Sequence, residues 1–192
     1  YVGFMASAPS PRHISPQHYA ELCAQLATTQ TSSVLVTVDA PDHFLDAYFN
    51  LRAADYIQCH GSESPERVLA LQRQYGARVI KALPVATEDD LEAVTPYLGK
   101  ANLFLFDAKP TRADLPGGNA KAFDWHLLAD HAMSVPWFLS GGLDPYNIMD
   151  ALYITHAPMV DVSSGVEAAR GIKDNAEIEA FVTNVRKNRQ KT

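Results

Sequence analysis

A carboxylate ends a run of apolar residues in the segment NLFLFDAKP, residues 102–110. Residues 103–106 are all apolar and predict a strand buried on both faces, with Asp107 at its carboxyl end. An aspartate in this position is either a turn or cap residue or a group that transfers protons during catalysis. The segment alone leaves both interpretations open.

Glycines and small polar residues follow two other apolar runs, in LSGGL (residues 139–143) and in VDVSSGVE (residues 160–167). Gly141, Gly142 and Gly165 allow backbone N–H groups to approach an anion without interference from a Cβ atom. These segments are therefore either phosphate-binding loops or simple tight turns. The sequence contains no GxGxxG or Walker motif, which argues against a dinucleotide or a nucleoside triphosphate.

Three further residues are candidate substrate contacts. Arg12, in SPRHISP, either forks onto a substrate carboxylate or lies at the surface. Gln58 and His60, in YIQCHG, lie at the end of another apolar run and are candidate substrate-binding residues. Cys59 lies between them with the opposite side-chain direction, which predicts a packing residue rather than a nucleophile.

Lys81, inside RVIKALPV, supports an alternative chemistry. A desolvated lysine on a barrel strand can form a Schiff base with a carbonyl substrate, as in aldolases and lyases. The structural alternative is a lysine whose amine only reaches the mouth of the barrel.

These residues need a scaffold, and the pattern of the chain predicts one. Short apolar and β-branched runs predict seven strands, in YVGFMA, SVLVTV, YIQCHG, RVIKALPV, NLFLFDA, PWFLSGG and MVDVSSG. Segments with helical periodicity lie between several of them. Strands separated by helices pair in parallel, in an open doubly wound sheet or in a (β/α)8 barrel that lacks one strand. In both folds, chemistry gathers at the carboxyl ends of the strands, which favours a functional role for Asp107.

Helix boundaries and one helix face can also be predicted. Ser15 and Ser64 are predicted N-caps that precede prolines, Gly76 ends a helix, and Thr87 and Asp174 begin two more. In the first helix, Cys23 should be buried. The last helix should place one apolar face toward the core. That face consists of Ile178, Phe181, Val182 and Val185.

Composition restricts the class of protein. The chain has 192 residues, which suits one domain, and a net charge of -6 gives no basic footprint for nucleic acid or an anionic membrane. The sequence has no run of about 18 apolar residues, so it predicts no membrane-spanning helix. The two cysteines have no partner nearby in sequence and no CxxC motif is present, so we predict no metal site and a reducing, cytoplasmic location.

The segments YVGF…SPRHISP, IQCHG…SPERV, VIKAL, LFDAK…LPGGNAKAFDW, SGGLDPYNI and DVSSGVE…GIKD, in this order, resemble the phosphoribosylanthranilate isomerase family of tryptophan biosynthesis. The resemblance extends over essentially the whole chain from Tyr1. It implies a TIM barrel, with residues 1–192 as a single (β/α) barrel domain. It also implies a phosphorylated small-molecule substrate, no cofactor, and a monomer or homodimer. The implied reaction is the Amadori rearrangement of an N-ribosylated anthranilate 5-phosphate.

The resemblance also implies residue roles. Asp107 is the general acid, Arg12 meets the anthranilate carboxylate, and Asp161 orients the sugar hydroxyls. The phosphate is held by the SGGL and SSGVE loops, which contain Gly141, Gly142, Ser163, Ser164 and Gly165.

The family's base is a cysteine in a Lys-x-Cys-Gly segment on its first strand, and this chain has no such segment. Neither Cys23 nor Cys59 matches it. We therefore expect the first strand, the first helix and the base upstream of Tyr1, in roughly 20–30 residues. The alternatives are a Schiff-base aldolase or lyase that uses Lys81, and a non-catalytic barrel that binds a phosphorylated ligand.

Overall fold

The computed structural model describes residues 1–108, 124–129 and 135–189. Residues 109–123, which carry LPGGN and most of the surrounding resemblance motif, lie outside the described residues. The chain forms two compact units, Tyr1–Ala82 with Thr95–Leu103, and Leu83–Val94 with Phe104–Thr192. The prediction of one barrel domain over residues 1–192 stays a prediction.

The first unit contains parallel strands that alternate with helices. The strands are β1 (Val2–Met5), β2 (Ser33–Thr37), β3 (Tyr56–Cys59) and most of β4 (Arg78–Val85), and they are adjacent in that order. The helices are α1 (Pro16–Leu26), α2 (Asp42–Phe49) and α3 (Pro65–Tyr75). The four predicted strands of this region are therefore confirmed.

Capping residues fix the helix ends where the sequence predicts them. The hydroxyl of Ser15 accepts a hydrogen bond from the N–H of His18 at 3.2 Å, so it caps α1. Ser64 does the same for α3, which ends at Gly76 in the left-handed conformation with φ of 65°. Each cap precedes a proline at the first helical position, where the missing N–H costs nothing.

The second unit contains β5 (Leu103–Ala108) from its second residue onward, β6 (Trp137–Leu139) and β7 (Met159–Val160), again parallel and adjacent. Its α-helices are α4 (Ile148–Thr155) and α5 (Asn175–Arg189). An antiparallel hairpin of β8 (Glu167–Ala169) and β9 (Ile172–Lys173) lies before α5 and was not predicted from the sequence. Gly171 forms its turn with φ of 85°.

Two local predictions need correction. The segment after β4 is a 3₁₀ helix, Glu88–Tyr97, and Asp90 rather than Thr87 organises its start. The Asp90 carboxylate accepts the N–H groups of Ala86 and Thr87 at 2.9 and 3.0 Å. In α5, Phe181 is buried but Val182 is 38% exposed, so the predicted apolar face is narrower than four residues.

Candidate active site

The carboxyl ends of three neighbouring strands lie in register. Leu139 of β6 pairs with Phe106 of β5 and with Val160 of β7. The N–H of Ser140 donates to the carbonyl of Phe106, and the N–H of Asp161 donates to the carbonyl of Leu139, each at 2.8 Å. The ladder therefore continues one residue beyond the ends of β6 and β7.

That next residue is Asp107 on β5, Ser140 after β6 and Asp161 after β7, so the three side chains belong to one row. Side chains in one row of a parallel sheet point to the same face. The Ser140 hydroxyl donates to Asp161 Oδ2 at 3.1 Å. Ser140 is buried and the two aspartates are half-buried. Both aspartates were predicted from the sequence and Ser140 was not, although a polar residue just before a glycine pair is a usable signal.

Gly141 is required by the end of β5. Its φ is 87°, and a Cβ atom there would lie 2.3 Å from the backbone nitrogen of Ala108 and 2.9 Å from Asp107 Oδ1. The same oxygen of Asp107 accepts the N–H of Ala108 at 3.0 Å. Gly141 thus lets the chain approach the Asp107 carboxylate closely, in addition to its predicted place in a phosphate loop.

The two glycine-bearing loops of the second unit meet. A Cβ atom on Gly165 would lie 1.9 Å from the carbonyl oxygen of Leu143, so only glycine fits at this contact. The carbonyl of Gly142 accepts the side-chain N–H of Asn147 at 2.8 Å, which holds the first loop to the start of α4. In the second loop, Ser163 and Ser164 are exposed, and Ser164 begins the 3₁₀ turn Ser164–Val166. The structure therefore brings into contact the two loops that carry the predicted phosphate-binding residues.

Gln58 and His60 form a pair at the end of β3 in the first unit. Gln58 Nε2 lies 2.9 Å from His60 Nδ1. An amide N–H can only donate, so Nδ1 accepts and neutral His60 carries its proton on Nε2. The ring nitrogen opposite Gln58 is therefore a hydrogen-bond donor.

Arg12 lies at the carboxyl end of β1, in the loop before α1. The N–H of Ile14 donates to the carbonyl of Met5 at 3.0 Å, and the N–H of Arg12 donates to the Ser10 hydroxyl at 3.2 Å. Arg12 is half-buried rather than fully exposed.

The Lys81 side chain is held by hydrogen bonds within the protein. Its ammonium group donates to Glu63 Oε2 at 2.9 Å and to the carbonyls of Gly61 and Cys59 at 2.6 and 3.3 Å. An ammonium has three N–H donors, and three acceptors meet them. These three contacts and the 2% exposure of Lys81 support the structural alternative, and the Schiff-base function stays an untested alternative.

The two cysteines are packing residues, as predicted. Both are buried, and burial raises the pKa of Cys59 to about 12 and that of Cys23 above its usual value. The neighbouring Glu63 carboxylate also raises the pKa of Cys59. Both side chains are therefore neutral thiols at physiological pH, a state unsuited to accepting a proton.

Neither a cluster of metal ligands nor a membrane-spanning helix occurs in the described residues. Within residues 1–108, 124–129 and 135–189, His, Cys, Asp and Glu side chains form no group of three or more that could hold a metal ion. In the same part of the chain, no helix is long and apolar enough to cross a membrane.

Parallel strands alternating with helices, with polar residues and glycine loops at the carboxyl strand ends, are typical of α/β-barrel enzymes. Comparison with known proteins identifies the family within this class. The model of the N-(5'-phosphoribosyl)anthranilate (PRA) isomerase family matches residues 1–184. The chain belongs to this family, which confirms the resemblance and the isomerase activity predicted from the sequence.

Individual relatives agree with the family assignment. The N-(5'-phosphoribosyl)anthranilate isomerase of Mesorhizobium japonicum is 48% identical over 187 residues, which cover 97% of this chain and 85% of that protein. The solved phosphoribosylanthranilate isomerase of Thermotoga maritima has 33% identity and a TM-score of 0.84, and the match covers 97% of this chain and 87% of that one. This similarity confirms the predicted fold class, α/β of the TIM (β/α)8 barrel type.

A further solved isomerase contains a bound ligand, reduced 1-(o-carboxyphenylamino)-1-deoxyribulose 5-phosphate. It has 31% identity to this chain and a TM-score of 0.79, and the match covers 97% of this chain and 87% of that one.

Proposed function

We propose that Asp107 and Asp161 form the acid and sugar-orienting groups for the Amadori rearrangement of N-(5-phosphoribosyl)anthranilate in tryptophan biosynthesis. The product is the corresponding 1-deoxyribulose 5-phosphate derivative. The observation that carries this proposal is the row of Asp107, Ser140 and Asp161 at three adjacent strand ends, beside the two joined glycine loops.

The reaction begins when the ribose ring opens. Asp107 donates a proton to the ring oxygen as the bond from that oxygen to C1 breaks, and the nitrogen lone pair forms a C1=N double bond. A base then removes the proton from C2, which gives an enamine that tautomerises to the ketone. C1 is reduced and C2 is oxidised within one molecule, so electrons balance inside the substrate.

The base that removes the C2 proton is inferred from the family resemblance. The resemblance implies a cysteine as the base, and this stays a prediction. Cys23 and Cys59 are not assigned the role, because both are buried thiols with raised pKa values.

The remaining contacts follow the chemistry of the substrate. Asp161, held by Ser140, accepts hydrogen bonds from the sugar hydroxyls. The loops that contain Gly141, Gly142, Ser163, Ser164 and Gly165 offer backbone N–H groups to the phosphate. Arg12 has a planar fork of donors that matches the anthranilate carboxylate.

Gln58 and His60, which contact each other, are the remaining substrate-binding residues in this proposal. A cytoplasmic location and a monomeric or homodimeric state belong to the same proposal. Both cysteines are free thiols, which agrees with a reducing compartment.

Asp107→Asn in the full-length protein tests the central assignment. A general acid typically contributes ~10²–10⁴-fold, so turnover should fall by that order while the fold is retained. Asp150→Asn is the matched control, because Asp150 is an exposed aspartate on α4. Near-normal turnover of the Asp107 variant would remove Asp107 from the mechanism. No turnover by the unaltered protein would favour the non-catalytic alternative.

A further inference from the structure

Lys173 forms an ion pair within the β8–β9 hairpin. Register places it opposite Glu167, and its Nζ lies 3.0 Å from Glu167 Oε1. The Glu167 side chain is only 4% exposed, whereas the Lys173 side chain is 42% exposed. Glu167 Oε2 also accepts the N–H of Gly171 at 3.1 Å, which ties the carboxylate to the hairpin turn. The hairpin therefore holds the ammonium group in one place.

The same ammonium group binds the loop that follows β7. Lys173 Nζ donates to the carbonyl oxygen of Ser163 at 2.6 Å and lies 3.4 Å from the Ser163 hydroxyl. The N–H of Val166 approaches the same carbonyl at 3.5 Å. Two donors thus fix the direction in which this carbonyl points.

The direction of that carbonyl determines the direction of the next N–H group. The peptide unit between Ser163 and Ser164 is planar and trans, so its C=O and N–H point to opposite sides. With the oxygen held by Lys173, the N–H of Ser164 points away from the hairpin. A rotation of this peptide would break the contact with Lys173.

We propose that Lys173 is a positioning residue for the phosphate of the substrate. It acts through the Ser163 carbonyl, which it binds so that the Ser164 N–H is presented to the phosphate. Glu167 positions Lys173 in turn. This inference rests on the phosphate-binding role proposed above for the loop of residues 163–165.

The charges of Lys173 and Glu167 also affect the binding of the phosphate. A phosphate monoester carries about -1.5 to -2 charges near neutral pH. Glu167 is a buried carboxylate close to this loop and would repel that anion. The ammonium of Lys173 compensates the carboxylate, so the surroundings of the loop favour the bound phosphate.

Lys173→Met in the full-length protein tests the proposal through the split between KM and kcat. KM for the phosphorylated substrate should rise about tenfold, because a charge-assisted hydrogen bond is lost, with kcat within about twofold. Competitive inhibition by inorganic phosphate should weaken by a similar factor, and inhibition by anthranilate should not. Lys173→Arg should restore the original KM and the original inhibition by phosphate. Arg170→Met removes a cation from the same hairpin, at an exposed position, and should change neither.

A variant that leaves Glu167 unpaired can unfold, so Lys173→Met/Glu167→Gln removes both charges together. It should still raise KM, but by less than Lys173→Met does, because the repulsion from the Glu167 carboxylate is removed as well. A loss of folding lowers the amount of active enzyme and the apparent kcat, but it leaves KM unchanged. An unchanged KM and unchanged phosphate inhibition in this active variant would overturn the inference alone. An unaltered protein that neither turns over substrate nor binds phosphate would overturn the proposed function itself.

Discussion

The hydroxyl of Ser140 donates a 3.1 Å hydrogen bond to Asp161 Oδ2 and so connects the ends of β6 and β7 at the level of Asp107. Backbone contacts support the same alignment, because the Asp161 N–H donates to the carbonyl of Leu139 at 2.8 Å. This hydrogen bond helps to fix the direction in which the Asp161 carboxylate points. Ser140 therefore orients the Asp161 side chain and has no direct part in proton donation by Asp107.

Ser140→Ala should lower kcat/KM for the isomerisation by up to about tenfold, because the Asp161 carboxylate loses a hydrogen bond worth roughly 0.5–1.5 kcal/mol. Steady-state kinetics on the full-length protein would measure this. Thr155→Val is the control, since it removes a buried hydroxyl that donates to Ala151 within α4. The control should lose a similar free energy of unfolding with unchanged kcat/KM. Equal kinetics for both variants would contradict the role assigned to Ser140.

Gly141→Ala should abolish most of the activity. The alanine would adopt an unfavourable φ of 87°, and its methyl group would press on the Ala108 nitrogen and on Asp107 Oδ1. Gly76→Ala separates strain from crowding, because Gly76 has φ of 65° and a Cβ there meets nothing within 4 Å. That control should lose about 1–2 kcal/mol in the free energy of unfolding and retain its kcat. Chemical denaturation and turnover measured together distinguish the two effects. If both variants kept full activity, Asp107 would not depend on Gly141.

Arg12→Ala should raise KM for the anthranilate substrate by an amount that corresponds to roughly 1.5–3 kcal/mol, with little effect on folding. The reason is the loss of a charge-assisted contact with the carboxylate. Arg73→Ala, an exposed arginine in the last turn of α3, provides the matched loss of one cation. An unchanged KM in the Arg12 variant would assign this side chain to the surface.

Much of the fold could be predicted because it depends on local signals. The seven strands follow from short apolar runs, and the ends of α1 and α3 follow from Ser15, Ser64 and Gly76. Asp107 could be placed at a strand end for the same reason, because the burial of residues 103–106 is visible in their composition.

Contacts between distant residues could not be predicted. Ser140 and Asp161 are 21 positions apart, and periodicity reports which side chains are buried but not which partner they meet. Lys81 is the clearest example. Its position on a strand was correct, yet only the fold shows that Glu63, in the loop before α3, reaches its ammonium. The family's remaining motif residues in 109–123 lie outside the described part of the chain.

The buried ion pair of Lys81 and Glu63 should contribute to the free energy of unfolding and take no part in catalysis. The two side chains are 2% and 4% exposed, and Glu63 also accepts the N–H groups of Asp39 and Gly61. Removal of one partner leaves an uncompensated buried charge, which typically costs about 3–5 kcal/mol. Lys81→Met and Glu63→Gln should therefore each lower the free energy of unfolding by roughly that amount.

The double variant Lys81→Met/Glu63→Gln should be less destabilised than the sum of the single variants, because no charge remains unpaired. Urea denaturation of the four proteins gives the coupling directly. Additive effects would contradict the ion pair. Borohydride reduction in the presence of a carbonyl substrate checks the chemistry separately. Because the Lys81 ammonium donates to Glu63, Gly61 and Cys59, mass spectrometry should find no covalent adduct on Lys81. An adduct there would restore the Schiff-base mechanism and contradict the structural role of the pair.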